Sequence, residues 1–341
     1  MKTILLHLVL TFTPLVLFAE DSISQIIKSF DEDLMNDNSI ESQVTIGFIT
    51  FSDTNTCGSI VPFIQEEIKN AAEASRRIRI VRTTDLSEYE QAGIATRGLT
   101  IGMSKKAKNI QNRNYILDGT YYDRNQNIEL ILTMHDAEGK FFGKKSAFIS
   151  KSEIAKRNLT LFPQNQKIAE EIQNDFGKIE NEQNRIREKD SKKKNYATKI
   201  SLSASMLDSD GNLVNILYPN DIVRFKISSD EDCYITILCI DANGIKNWLR
   251  LNNNFIEGDT PRFFPDVAGS VLRVADDGVF GAEQVVIYAS TSKDGLPSEQ
   301  NNGKYISQDL HTIMKKQQNA KKNKNYATET FKITYTIMEK K

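Results

Sequence analysis

The sequence predicts an α+β multidomain chain: an N-terminal α/β domain with a mixed sheet, a charged helical linker, and a C-terminal all-β sandwich. Three observations lead there. Helix-period and strand-period patterns alternate up to about residue 150. A charged stretch with a thin apolar stripe follows. The remainder is a succession of short β-rich runs punctuated by Asp-Gly and Asn-Gly turns. A length of 341 residues suits about two domains. With 39% hydrophobic residues and 44 Lys or Arg against 45 Asp or Glu, the chain is neither disordered throughout nor a strongly basic nucleic-acid binder. No nucleic-acid partner is expected.

The chain opens with Lys2 and an apolar run from Ile4 to Phe18, shorter than the roughly 20 residues a membrane-spanning helix needs. Small Ala19 precedes acidic Glu20-Asp21, so residues 1–19 read as a signal peptide cleaved near Ala19. The mature protein is expected in the periplasm or secreted, with no transmembrane segment after cleavage. No Cys stands near the cleavage point, so a lipid anchor is not expected.

Residues 22–160 read as the α/β domain. Val44 to Phe51 is a buried-strand pattern. From Pro62, apolar residues at Ile64, Ile68, Ala71 and Ala72 follow a helical period, with Pro near the start. Arg77 to Val81 alternates charge and apolar side chains, as a half-buried strand does. Leu86–Ala92 and Gly102–Ile110 read as short helices. Three strand-like runs follow, within Tyr115–Asp123, Asn127–Asp136 and Lys144–Ser150. Turns are expected at Asp123-Arg124-Asn125 and at Asp136 to Gly139. The sum is a βαβ start followed by an antiparallel meander.

Residues 161–195 read as the charged helix and linker. Its stripe of Ile168, Ile172, Phe176, Ile179 and Ile186 is narrow and suits packing within the protein better than a long coiled coil. Residues 196–341 read as the sandwich, with six or seven strands and turn dipeptides at Asp210-Gly211, Asn243-Gly244, Asp277-Gly278 and Asp294-Gly295. Ser307 to Asn323 reads as one helical piece. The pentapeptide Lys-Asn-Tyr-Ala-Thr occurs at Lys194–Thr198 and again at Lys324–Thr328, before the first and last strands of this segment.

Chemistry is sparse in the sequence. Only His135 and His311 remain after leader removal, and neither sits in a nucleophile motif. Cys233 and Cys239 share one strand with their Cα atoms ~20 Å apart, too far for a mutual disulfide. Cys57 could reach one of them only if the domains touch. Asp208, Asp210 and Asn212 lack the Gly and bidentate Glu positions of a calcium loop. No phosphate-binding, zinc or nucleophile-elbow motif is present, so no cofactor, metal ligand or catalytic residue is expected. The 45 acidic residues leave a carboxylate-pair hydrolase open as an alternative. Arg77 and Arg79, on one face of a charged strand, and the lone Trp248, beside an Asn run, are the candidate partner contacts.

Residues 23 to 160 resemble the exported α/β domain shared by the flagellar outer-membrane protein FlgO, the curli-secretion protein CsgG and the penicillin-binding-protein activator LpoB. The resemblance rests on the order of Val44–Phe51, the helix from Pro62, the strand from Arg77, Asp118-Gly119-Thr120, and the Asp136 to Gly139 turn. It implies an envelope assembly or accessory factor that binds other envelope proteins without catalysis. Residues 196 to 295 resemble a bacterial β-domain of unknown function found fused to sensor, kinase or protease-like modules, through Leu217–Ser228, Asp232–Leu249, Asn252–Gly258 and Phe280–Ser290. Peptidoglycan or glycan binding is the alternative partner class.

Overall fold

Two apolar faces of opposite periodicity build the first module. In the computed structural model, which describes residues 19–36, 42–52, 54, 56–75, 77–81, 113–136, 138–175, 177, 200–249, 251, 253–266, 270–297 and 326–340, these faces meet as helices on a sheet. Helix α1 (Ala19–Asn36) presents Ile23, Ile26, Ile27, Phe30 and Leu34 at helical spacing, all buried. Helix α2 (Ile60–Glu73) presents Ile60, Val61, Ile64, Ile68 and Ala72. Both pack on one face of a five-stranded sheet formed by β1 (Ser42–Phe51), β2 (Ile78–Ile80), β3 (Arg113–Arg124), β4 (Asn127–Asp136) and β5 (Phe141–Ser150).

The sheet order is β2-β1-β3-β4-β5, with β1 parallel to both β2 and β3 and the last three strands antiparallel. This is the mixed sheet expected from the alternation of patterns. Period-two burial is clearest in β4, where Ile128, Leu130, Leu132 and Met134 are fully buried. The β3–β4 turn sits later than its residue types suggested. Asp123 and Arg124 stay paired in β3, and the two-residue loop is Asn125-Gln126, with Asn125 at φ +50°. Helix α1 is an element beyond those expected from the sequence. Its apolar period was visible, but it lies directly after the leader pattern.

A short strap then joins the two modules. After α3 (Lys151–Lys156), Thr160 caps α2 from outside. Its Oγ1 accepts the Ser59 N–H (3.1 Å) and its carbonyl accepts the Ile60 N–H (3.0 Å), satisfying donors that begin the helix. The Tyr121 hydroxyl donates to the Leu161 carbonyl (2.6 Å) and accepts the Gly58 N–H (3.0 Å). A Cβ on Gly58 would lie 2.3 Å from the Thr160 carbonyl oxygen, so only glycine lets the strap lie this close. Phe162 stacks edge-on against Phe51, with ring centroids 4.5 Å apart.

The second module is a two-sheet sandwich. One sheet runs β10 (Lys246–Trp248), β9 (Cys233–Ile240), β14 (Gly281–Ser290), β15 (Thr328–Ile337), β7 (Ile216–Leu217), with β11 (Phe255–Ile256) also on β9. The other is built round β8 (Ile222–Ser229), paired with β6 (Leu202–Asp208), β12 (Arg262–Phe264) and β13 (Leu272–Arg273). Between them lie Met206, Phe225, Ile227, Ile235, Ile237, Phe264, Val285 and Ile287. Five of these ten strands have only two or three residues, too few for an alternating pattern, and of these only β13 falls in a run with strand composition, so β7, β10, β11 and β12 leave no mark in the sequence.

The outer face of the larger sheet is covered as well. Leu238, Ile240, Trp248, Val286, Tyr288 and Leu296 form a second apolar cluster, and Ile172 of the helical segment 166–175 packs on it. Burial on both faces explains why β9 and β14 read as continuous apolar runs. The expected linker is therefore, in its described part, a docked helix. The side chain of Phe176, with Ile179, Ile186 and the first Lys-Asn-Tyr-Ala-Thr copy, lies outside the described residues. So do residues 1–18, the two short helices expected within 82–112, Ser307–Asn323 and His311.

Asn165 fixes the strap to the sandwich. Its Nδ2 donates to the carbonyls of Ala242 and Ala282 (2.8 Å each), and its Oδ1 accepts the Ala282 N–H (2.7 Å). Gly281, at φ +137°, makes room: a Cβ there would lie 2.3 Å from Asn165 Oδ1. The modules also touch directly, as the Cys57 thiol donates to Thr336 Oγ1 (3.3 Å) and Ile216 and Met338 pack on the first core. Asn165→Ala should cost about 2–3 kcal/mol in urea unfolding, because three backbone groups lose their partner. Gly281→Ala should cost at least as much and should alter the same cooperative transition.

Candidate interaction surface

β5 is the outer strand of the first sheet, and among the described residues nothing pairs with its far side. It carries the two most exposed aromatics of the module, Phe141 (58%) and Phe148 (55%). Its register puts Phe148 opposite Glu129, Ser146 opposite Ile131 and Lys144 opposite Thr133. Residues on the other side of the strand hold it to α1. Lys145 pairs with Asp33 (2.7 Å) and lies over the Phe30 ring (5.8 Å), and Ile149 is fully buried. The strand is thus anchored by one side-chain set and exposed by the other. The alternation of residue types in Lys144–Ser150 is weak, so the sequence indicates a strand there but not which of its faces is exposed.

The residues singled out by sequence fall far apart. Arg79 is exposed on β2, the opposite edge strand, and Arg77 is half-buried just before it; both make contacts. The Arg77 backbone N–H donates to Asp31 Oδ1 (3.1 Å), which ties this edge to α1. Trp248 is only 3% exposed, with its ring centroid 5.9 Å from that of Tyr288. Among the described residues its Nε1 has no hydrogen-bond partner, a cost of about 1–3 kcal/mol. The indole is therefore a packing element beneath the sheet's outer cover. His135 closes β4 against the Phe141 ring, with centroids 6.2 Å apart.

The thiols are free and turned inward. Burial pushes Cys57 up to about 11 and Cys239 up to about 12, the latter aided by the Glu283 charge. Cys233 and Cys239 share the interior face of β9, as their even spacing requires. Glu283 lies at the end of the same interior. Burial raises its carboxyl to about 7, although the Tyr335 hydroxyl donates to Oε2 (2.7 Å) and the Ala242 N–H to Oε1 (3.3 Å). Asp241 and Asp277 add to the rise. Both oxygens are already engaged, one of them by the turn that Asn165 holds, so the group braces the sandwich end. Among the described residues no cluster of three His, Cys, Asp or Glu is placed to hold a metal ion. The Asp208 loop is a turn: Asp208 Oδ1 accepts the N–H groups of Asp210 and Asn212.

Residues 216–293 match the family model described as a domain of unknown function, DUF4384. This stretch runs from β7 through β14 and lies inside the 196–295 span of the expected resemblance. Solved structures of LpoB C-terminal domains align with the chain. One is the LpoB C-terminal domain from Escherichia coli, at 15% identity, covering 39% of this chain and 98% of that one, with a TM-score of 0.27. Another is the LpoB C-terminal domain from Salmonella enterica, at 13% identity, covering 38% and 96%, with a TM-score of 0.25. At these values neither fold detail nor function carries across. No curated protein matches the chain significantly. No helix among the described residues is long and apolar enough to cross a membrane.

The raised Glu283 carboxyl has a signed consequence. The folded chain holds this proton more tightly than the unfolded chain, so stability falls as pH rises from about 4.5 to about 7. Up to about 3 kcal/mol is at stake over that window. Glu283→Gln should remove this part of the slope, so that urea midpoints of variant and wild type diverge with rising pH, the variant becoming the more stable.

Proposed function

We propose that this chain is an exported cell-envelope protein that binds other envelope proteins as an assembly or accessory factor and catalyses no reaction of its own. The observation that carries the reading is the open ten-residue strand β5, with exposed Phe141 and Phe148, held on a frame braced by the strap. Such an arrangement gains free energy by being covered.

In this reading residues 1–19 are a leader removed near Ala19. Cleavage there spares the packed face of α1, which begins at Ile23. Residues 22–160 are the α/β domain, 161–195 the charged helix and linker, and 196–341 the sandwich domain. Arg79 on the β2 edge is a second contact candidate, and Trp248 acts only by shaping the sheet beneath it. The charge balance suits a protein partner better than a polyanion.

Crosslinking in intact cells followed by mass spectrometry tests this. Crosslinks should run from the mature chain to envelope proteins, while purified protein should stay in the supernatant when cell-wall sacculi are pelleted. Retention on sacculi without protein crosslinks would instead establish a peptidoglycan or glycan binder.

A further inference from the structure

We propose that the outer edge of β5 is a strand-addition site for an extended acidic segment of a partner protein, one reading apolar–any–small polar–any–acidic; this rests on the protein-binding function above and names its surface and the chemistry of its partner.

The hydrogen-bond phase of β5 can be read from one bond. The Lys151 N–H donates to the Gln126 carbonyl (3.0 Å), reaching around the Asn127–Ser150 pair. That pair is therefore the kind that exchanges no direct bonds, and the antiparallel ladder alternates from there. Ile149, Ala147 and Lys145 bond inward to β4. The N–H and C=O groups of Phe148, Ser146 and Lys144 point outward, away from the sheet. One contact agrees independently, since the Ser22 hydroxyl donates to the Phe148 carbonyl (3.3 Å) from the α1 side. The remaining outward groups of Ser146 and Lys144 have no partner among the described residues. Here a peptide strand can continue the sheet through main-chain bonds.

Side chains set what that strand must carry. Phe148, Ser146 and Lys144 are all exposed, on the sheet face turned from the helices. An antiparallel addition places an apolar residue beside Phe148, a small polar residue beside Ser146 and an acid beside Lys144. Lys145 is already paired with Asp33, whereas Lys144 makes no ion pair with any described residue. A lysine on an edge strand ordinarily discourages pairing. Next to Phe148, and with its own main-chain groups open, Lys144 becomes a selector instead. It also disfavours a second copy in the register that sets Lys144 opposite Lys144, where like charges would face each other.

The test uses the chain from Glu20 onward and two labelled heptapeptides, Thr-Phe-Val-Thr-Val-Glu-Thr and its counterpart with Lys in place of Glu. The acidic peptide should bind and slow amide exchange in the segment holding Lys144 and Ser146, and the basic one should bind about fivefold more weakly or worse. Lys144→Glu should invert that preference. Ser146→Pro removes an outward N–H while leaving the β4 ladder intact, so it should abolish binding without lowering the melting temperature by more than a few degrees. If Ser146→Pro does not fold, the Lys144→Glu inversion decides alone. Equal binding of both peptides, no binding, or exchange protection elsewhere would overturn the proposal. So would concentration-dependent dimerisation that Ser146→Pro removes, which would assign the edge to a second copy. Envelope crosslinks that persist in the Ser146→Pro cells would sink this site but leave the wider protein-binding function standing.

Discussion

The three hydrogen bonds of Asn165 set the relation between the two halves of the molecule. A single carboxamide ties the strap both to the β9–β10 turn, through Ala242, and to the start of β14, through Ala282. On the other side Thr160 caps α2, and the Tyr121 hydroxyl is held between Gly58 and Leu161. A joint made of directional backbone bonds does not slide as a greasy contact can. The surfaces of the two modules are therefore presented in one fixed relation. A partner that needs both meets them ready-made, with little ordering left to do on binding.

Most of the large elements were legible because their side-chain periods were unambiguous. Val44–Phe51, the helix from Pro62 and the long runs that became β8, β9, β14 and β15 all declared themselves. The short strands did not. β7, β10, β11 and β12 exist because a neighbouring strand offers a free ladder, and two or three residues carry no periodicity. α1 is a different case: Ile23, Ile26, Ile27, Phe30 and Leu34 keep a helical period, but they follow closely on the apolar run Ile4–Phe18, which obscures where the helix begins. The docked helix could be anticipated only in part. Its narrow stripe promised packing, but the receiving face appears only once β9 and β14 lie side by side.

The candidate surface was the least legible. Residue type alone favoured Arg77, Arg79 and Trp248, since arginine and tryptophan are common in contacts. Trp248 proved to be covered, and the arginines sit on the edge opposite β5. What distinguishes β5 is not composition but the phase of its hydrogen bonds, which depends on a register that no single sequence displays. The same limit applies to Glu283. A glutamate in an apolar run fits either side of a strand, and only the pairing with Tyr335 shows that it turns inward.

β15 carries a further consequence. It is the strand nearest the chain's end, yet it lies between β14 and β7, and Thr336 and Met338 reach the first module's core. A chain made from its N-terminus exposes the apolar flank of β14 until β15 follows and pairs with it. Folding of the sandwich thus has a vulnerable interval between the arrival of these two strands, during which that flank needs shielding.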